Sequence, residues 1–298
     1  MYIMTIFEEQ YNKYYAALDG VDKDLRHIII MYIVPPPTRL LDWIPESQLY
    51  WSYLSKNPAA ISLLEKKPIK IDWYYLSGNP AAIPLMNRYP DKIIWGRASK
   101  NPAAINMLID PATDQPIKDV VWYWLSKNPA AVYWIACNLD KVSHYRLSKN
   151  VAAIPLLMAY PKLIKWRAAS TNPAAIDLLK QNPEMIYWSE LSYNPAAIGL
   201  LEDHPENINW SLLSKNPAAI HLLQKNPDKI DLVKLGENPA AIDLIRTIYN
   251  EQPDRFYTAN NHRFVWAALS KNPAIFEQDV AEITRVRRAA VINRDNQH

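Results

Sequence analysis

Apolar and polar positions in this chain repeat with a beat of 22 residues. In the run Pro195 to Leu201, Ala197, Ile198, Leu200 and Leu201 fall at i, i+1, i+3 and i+4, one apolar stripe of a short helix. Gly199, Glu202 and Asp203 fall on the opposite face. The same outer positions read Asp177, Lys180 and Gln181 one unit earlier and His221, Gln224 and Lys225 one unit later, polar as the phase requires. A second run, Pro205 to Ser214, follows the rule Pro-x-x-Ile-x-Trp-x-x-Leu-Ser. It recurs from Pro68, Pro90, Pro161, Pro183 and Pro227 with apolar substitutions such as Ala98 and Leu232. Trp210 and Leu213 share a helical face, yet Ile208 lies about 200° from Trp210 at about 100° per residue. Either this second helix is covered on two sides, or its first turn is wound differently.

A tetrapeptide Ser-x-Asn-Pro fixes the register. Its Asn stands at positions 57, 79, 101, 128, 150, 172, 194, 216, 238 and 272, and seven of the nine intervals are 22 residues. The other two, 27 and 34, imply insertions of five and twelve residues around Asp110 to Pro116 and Tyr249 to Asn261, expected in loops on one face. Two copies drift, with Val151 in place of Pro and Gly236 in place of Ser. Asn accepts a hydrogen bond from an early helix amide, while Pro fits the first helical position, where its missing N–H is not needed. Asn57, Asn79, Asn101, Asn128, Asn150, Asn172, Asn194, Asn216, Asn238 and Asn272 therefore read as helix caps, and the motif Ser reads the same way.

Helices of about ten residues are not stable alone, so stacking supplies the core. The expected fold is all-α, an α-solenoid superhelix of about ten two-helix repeats, a rod or arc on the order of 100 Å long at 8–10 Å between packed helices. The expected organisation is an N-terminal helical cap over 1–47, two helices broken before Pro35-Pro36-Pro37; a repeat array over 48–276; and a C-terminal cap and tail over 277–298.

The phrase LSKNPAAIxLL, best seen from Leu213 to Leu223, resembles the short helical repeats of proteins from large DNA viruses of amoebae; the likeness spans roughly Leu49 to Phe276. It is also similar to the leucine-rich-repeat-variant class within the armadillo-like superhelices. The resemblance implies a binding array rather than a reaction and brings no site residues. The cysteine-bound cluster of the second class has no counterpart here, since Cys137 is the only cysteine.

Composition narrows the chemistry. Gly is scarce at 5 and Pro abundant at 24, which argues against phosphate loops and for many short elements. The net charge of +3 is too mild to imply polyanion binding without local concentration. The lone Cys137 forms no intrachain disulfide and reads as a small apolar filler. Residues Met1 to Gln10 lack a signal-type pattern and the run Ile28 to Val34 is too short to span a bilayer, so the expected setting is intracellular, without secretion or membrane insertion. The six His, at 27, 144, 204, 221, 262 and 298, form no HExxH, and neither GxSxG nor GxxxxGKS/T occurs. No catalytic residue, cofactor or metal is expected.

Three columns remain. Trp51, Trp73, Trp95, Trp122, Trp166, Trp188, Trp210 and Trp266, with His144 and Leu232 on the same rungs, read as core volume, since Leu replaces Trp once; stacking platforms for single-stranded nucleic acid are the other reading. Lys56, Lys100, Lys127, Lys149, Lys215 and Lys271 precede the capping Asn, with Gly78, Thr171, Tyr193 and Glu237 on the remaining rungs. They form either a solvated face or a basic stripe for an anionic partner beside a row of helix N-termini. Arg285, Arg287, Arg288 and Arg294 either solubilise the last helix or meet an acidic partner. The first functional expectation is a non-enzymatic scaffold that binds a protein partner through contacts such as Tyr74, Tyr75, Tyr123, Trp124 and Tyr133. The alternatives are a nucleic-acid-binding solenoid using the Lys column and a structural part of a viral particle.

Overall fold

The structure is a computed structural model; it describes residues 4–110, 112–113, 115–117, 119–257 and 262–295, with side chains as far as 292. The fold is all-α apart from two very short strand pairs. Six of the ten units are built from the same four pieces among the described residues. In the seventh, the α-helix Trp188–Leu191 leads to Pro195–Ala197, a 3₁₀ turn that runs into the α-helix Ile198–Asp203; Pro205–Asn207 is a second 3₁₀ turn, and the α-helix Trp210–Ser214 opens the next unit. Pro opens both turns, where its fixed φ is preorganised and its missing N–H is not needed. Ile208 is extended, at φ −69° and ψ 122°, so it stands outside the helix that follows. This resolves the phase conflict between Ile208 and Trp210, and both α segments are shorter than the ten residues expected.

The Asn residues hold neighbouring units together as well as capping. Asn172 Oδ1 accepts from Ala174 N at 3.0 Å, the cap predicted from sequence. Its Nδ2 donates to Ser148 O at 3.0 Å and to Asn150 O at 3.2 Å, both in the preceding unit. Asn79, Asn101, Asn128, Asn150, Asn194, Asn216 and Asn238 repeat the arrangement, and all are buried. The motif Ser is not a cap. Ser148 Oγ donates to His144 O at 2.9 Å and accepts from Lys165 N at 2.9 Å, so the hydroxyl bridges one unit to the next. A buried Ala between them, Ala153 or Ala175 for example, lets successive 3₁₀ turns approach closely. Every junction thus pairs backbone groups that stacking would otherwise bury unsatisfied, each such bond contributing about 0.5–1.5 kcal/mol net.

The array is not an open rod. Asn57, in the first unit, donates to Ser270 O at 3.2 Å and to Asn272 O at 2.9 Å, in the last. Tyr50 N donates to Ser270 Oγ at 2.9 Å, the same bridge that Ser makes elsewhere. The ten units therefore close into a ring. At 8–10 Å per unit the length expected of the rod becomes a circumference, giving a mid-wall diameter of about 30 Å. Antiparallel strands Thr38–Leu40 and Phe276–Gln278 seal the same seam, reinforced by an Arg39–Glu277 ion pair at 2.5 Å.

The terminal segments do not cover two separate ends, because the ring has none. Helices Ile6–Ala17 and Lys23–Ile33 pack with Val280–Asp295 around a second core of Phe7, Tyr11, Tyr15, Ile30, Val34, Ile283, Val286 and Ala290. Of the terminal arginines, Arg285 pairs with Glu8 at 3.1 Å and with Glu282, and Arg287 pairs with Asp24. These charges bind the two termini together. The side chain of Arg294, and His298, lie outside the described residues.

The two insertions differ. Ile109–Asp110 and Gln115–Pro116 form a minute hairpin, while the longer insertion is partly helical: Ile242–Glu251 extends to ten residues, Pro253–Phe256 follows, and His262–Leu269 opens the tenth unit. Residues 258–261 lie outside the described residues. Gly236 stands beside this enlarged unit because a Cβ there would meet Ala268 Cβ at 2.9 Å and Val265 O at 3.3 Å. Restoring the motif residue, Gly236→Ser, will therefore destabilise the ring by about 1–3 kcal/mol through overpacking, measured as a lower urea midpoint. An unchanged or higher midpoint would show that the repeat consensus outweighs the contact.

Candidate functional site

Ring closure decides where the Lys column points. Lys127 feels the charges of Lys149 and Arg146 beside it, and also those of Lys56 and Lys215, three and four units away in opposite directions. Lys56 likewise feels Lys271, Lys215 and Arg97. Side chains on the outer wall of a ring diverge, so only an inward-facing column brings such distant rungs into electrostatic range. The ammonium groups converge on the lumen.

The two halves of this inner wall differ. Glu237, on the ninth rung, bridges Lys215 at 2.5 Å and Lys271 at 2.8 Å, and these two cations hold its carboxyl down at about 2 despite burial. Lys56, Lys100, Lys127 and Lys149 make no ion pair among the described residues. Desolvation by the surrounding protein first, and like-charged neighbours second, lower Lys56 and Lys127, although both side chains keep exposed surface, and bring Lys100 down to about 8. Gly78 makes room for one of them. A Cβ at Gly78 would meet Lys100 Cε at 2.5 Å, so the lysine stem lies across the rung that lacks a side chain.

Residues three positions before each Lys share its helical face and complete the wall. Arg97 lies over Tyr74 at 3.7 Å, Tyr75 at 5.8 Å and Trp124 at 4.8 Å; Arg146 lies over Tyr123 and Trp124, each at 3.9 Å. Cations and rings therefore alternate along the second to fifth units. Stacking fixes the plane of each guanidinium and offsets some of the repulsion between them. Nε of Arg97 and of Arg146 is buried without a hydrogen-bond partner among the described residues.

The sequence pointed to the Lys column but missed Arg97 and Arg146. Their signal was the i, i+3 relation to Lys100 and Lys149, which acquires meaning once the concave face is known. Tyr74, Tyr75, Tyr123 and Trp124, expected as contacts for a protein partner, carry these guanidinium groups, with Tyr74 and Tyr123 still exposed; Tyr133 stands apart, packed on Trp134 and 64% exposed.

The Trp column is not a set of free stacking platforms. Trp51, Trp73, Trp95, Trp122, Trp166, Trp188 and Trp210 are half-buried against the core, and Trp266 is buried. Lys67, Lys141 and Lys229 lie over Trp51, Trp122 and Trp210 at 5.5, 5.2 and 4.4 Å. The indole of Trp266 donates to His262 Nε2 at 3.0 Å. Cys137 is exposed, not a buried filler.

Among the described residues no group of three or more His, Cys, Asp or Glu could hold a metal ion, and no helix is long and apolar enough to cross a membrane. Comparison with protein-family models, with curated proteins and with solved structures finds no match for this chain.

Proposed function

We propose that this protein is a non-enzymatic binding ring that holds a multiply charged anion in its lumen. One observation carries this reading: Lys56, Arg97, Lys100, Lys127, Arg146 and Lys149 converge from several units, and none is in an ion pair among the described residues. Such an arrangement opposes folding through like-charge repulsion and desolvation, so its presence favours a function that uses it. A solvated outer face would spread these lysines apart and leave Lys56, Lys100 and Lys127 without the lowering that they show. The protein-scaffold reading relies on exposed aromatic side chains such as Tyr133, and exposed apolar residues are the ordinary condition of a protein surface.

The test is titration of a trisulfonated pyrene dye into the protein at low and at physiological salt. Affinity will fall as salt rises, and replacing Lys56, Lys100, Lys127 and Lys149 together by Gln will weaken binding at least tenfold with an unchanged circular dichroism spectrum. Equal affinity in the fourfold variant would place the anion site elsewhere. The pH dependence has a defined sign. Lys100, already down at about 8, loses its charge as pH rises from 7 to 9, and dye affinity falls with it. A bound anion favours the charged amine, so binding near pH 8 takes up a proton, and the heat of binding will differ between buffers of different ionisation enthalpy. Without ligand, Lys100 bears a folded pKa below its unfolded value. Its destabilising charge is fully present below pH 8 and is relieved as pH rises from there towards the free-lysine value of 10.5.

A further inference from the structure

We propose that the ligand is a compact polyphosphate, several phosphates on a small frame, seated against the half of the lumen formed by the first five units. The inference rests on the lumen reading above and narrows it on three grounds. The first is reach. Lys127 feels the charges of Lys56 and Lys215, three and four units away in opposite directions around the closed ring, so a small ligand seated there meets cations from several units at once.

The second ground is the state of the aromatic rings. A single strand binds non-specifically by stacking its bases on open aromatic faces. Here the faces are taken: Trp124 lies between Arg97 and Arg146, Tyr123 is under Arg146, and Tyr53 is under Lys271 at 4.4 Å. A stacked guanidinium presents a fixed fork of N–H donors, which matches the paired oxygens of a phosphate better than a freely rotating ammonium does. The third ground is asymmetry. Unpaired cations gather in units one to five, whereas Glu237 neutralises its neighbours in the other half and Glu190 pairs with Arg167 at 2.5 Å. Six cations in one half-lumen suit a ligand that concentrates several negative charges within a few ångströms.

Competition against the bound dye decides the matter, with inositol hexakisphosphate as the cyclic probe, sodium tripolyphosphate as the linear one, and a 12-nucleotide oligo-dT as the polymer. At least one phosphate probe will displace the dye with an affinity tenfold or more above that of oligo-dT. Tight binding of the hexakisphosphate alone assigns a cyclitol frame, and tight binding of tripolyphosphate alone assigns a linear one. The double variant Arg97→Lys, Arg146→Lys keeps the charge but loses the fork; it will weaken the tighter phosphate probe at least tenfold more than it weakens the dye, and equal losses for the two would overturn the assignment of the forks to phosphate. If oligo-dT binds more tightly than both phosphate probes, or if neither displaces a dye that itself binds, the polyphosphate assignment fails and the lumen reading stands. If the dye does not bind the wild-type ring at low salt, both fail.

Discussion

Replacing Asn172 by Asp will destabilise the ring by about 3–5 kcal/mol at pH 7, although Asp and Asn are nearly equal as helix N-caps. The cap accepts one hydrogen bond, from Ala174 N, and a carboxylate serves that as well as an amide does. What a carboxylate lacks is the donor. Asn172 Nδ2 satisfies Ser148 O and Asn150 O in the unit before it, and the whole side chain is buried. An aspartate there sets an unpaired charge against two carbonyl oxygens, the situation in which a buried charge without a partner is most costly. Urea denaturation of the variant against wild type measures the loss. A difference below 1 kcal/mol would mean that the Asn residues act as caps alone. Lowering the pH will bring part of the stability back, because a protonated Asp regains one donor.

The same substitution at Asn57 will cost as much. In an open array the first Asn has no preceding unit, its amide faces no carbonyls, and Asn57→Asp is close to neutral. In the ring it donates to Ser270 O and Asn272 O, and its environment is that of Asn172. The seam is reinforced by the strand pair Thr38–Leu40 with Phe276–Gln278, so Asn57→Asp weakens closure without removing the contacts that align it. The pair of variants separates two contributions. Asn172→Asp tests whether the amide clasps neighbours, and Asn57→Asp tests whether the last unit is a neighbour of the first. Equal losses fit the ring; a large loss at 172 with a small one at 57 fits an open solenoid.

Much of the fold was legible because each unit carries its own punctuation. Asn-Pro marks where a helix starts, and the Ala-Ile-x-Leu-Leu stripe marks the face that packs. Two gaps have physical causes. The second helix was left with two readings, burial on two faces or a differently wound first turn, and the second holds: a 3₁₀ turn and an extended residue, Ile208, precede it, and periodicity counted through that break loses phase. Closure was invisible because curvature is set by a small rotation per unit that no single residue encodes. The hint lay in the Asn column. A role as cap alone tolerates Ser, Thr or Asp, yet all ten units use Asn, the side chain that accepts at the cap and also donates two bonds. The site was half legible for the same reason: the Lys column could be read, but its direction follows from closure, and with direction unknown nothing singled out Arg97 and Arg146.

Closure is most directly tested by electron paramagnetic resonance on nitroxide labels placed at Ser52 and Ala267, equivalent positions in the first and last units, with exposed Cys137 first changed to Ser. A second pair at Ser189 and Ser211, equivalent positions in two consecutive units, gives the reference for adjacent rungs. The ring predicts matching dipolar broadening for the two pairs, since units one and ten are then adjacent like any others. Broadening in the reference pair with none between Ser52 and Ala267 would show an open array and would remove the lumen on which the functional reading depends.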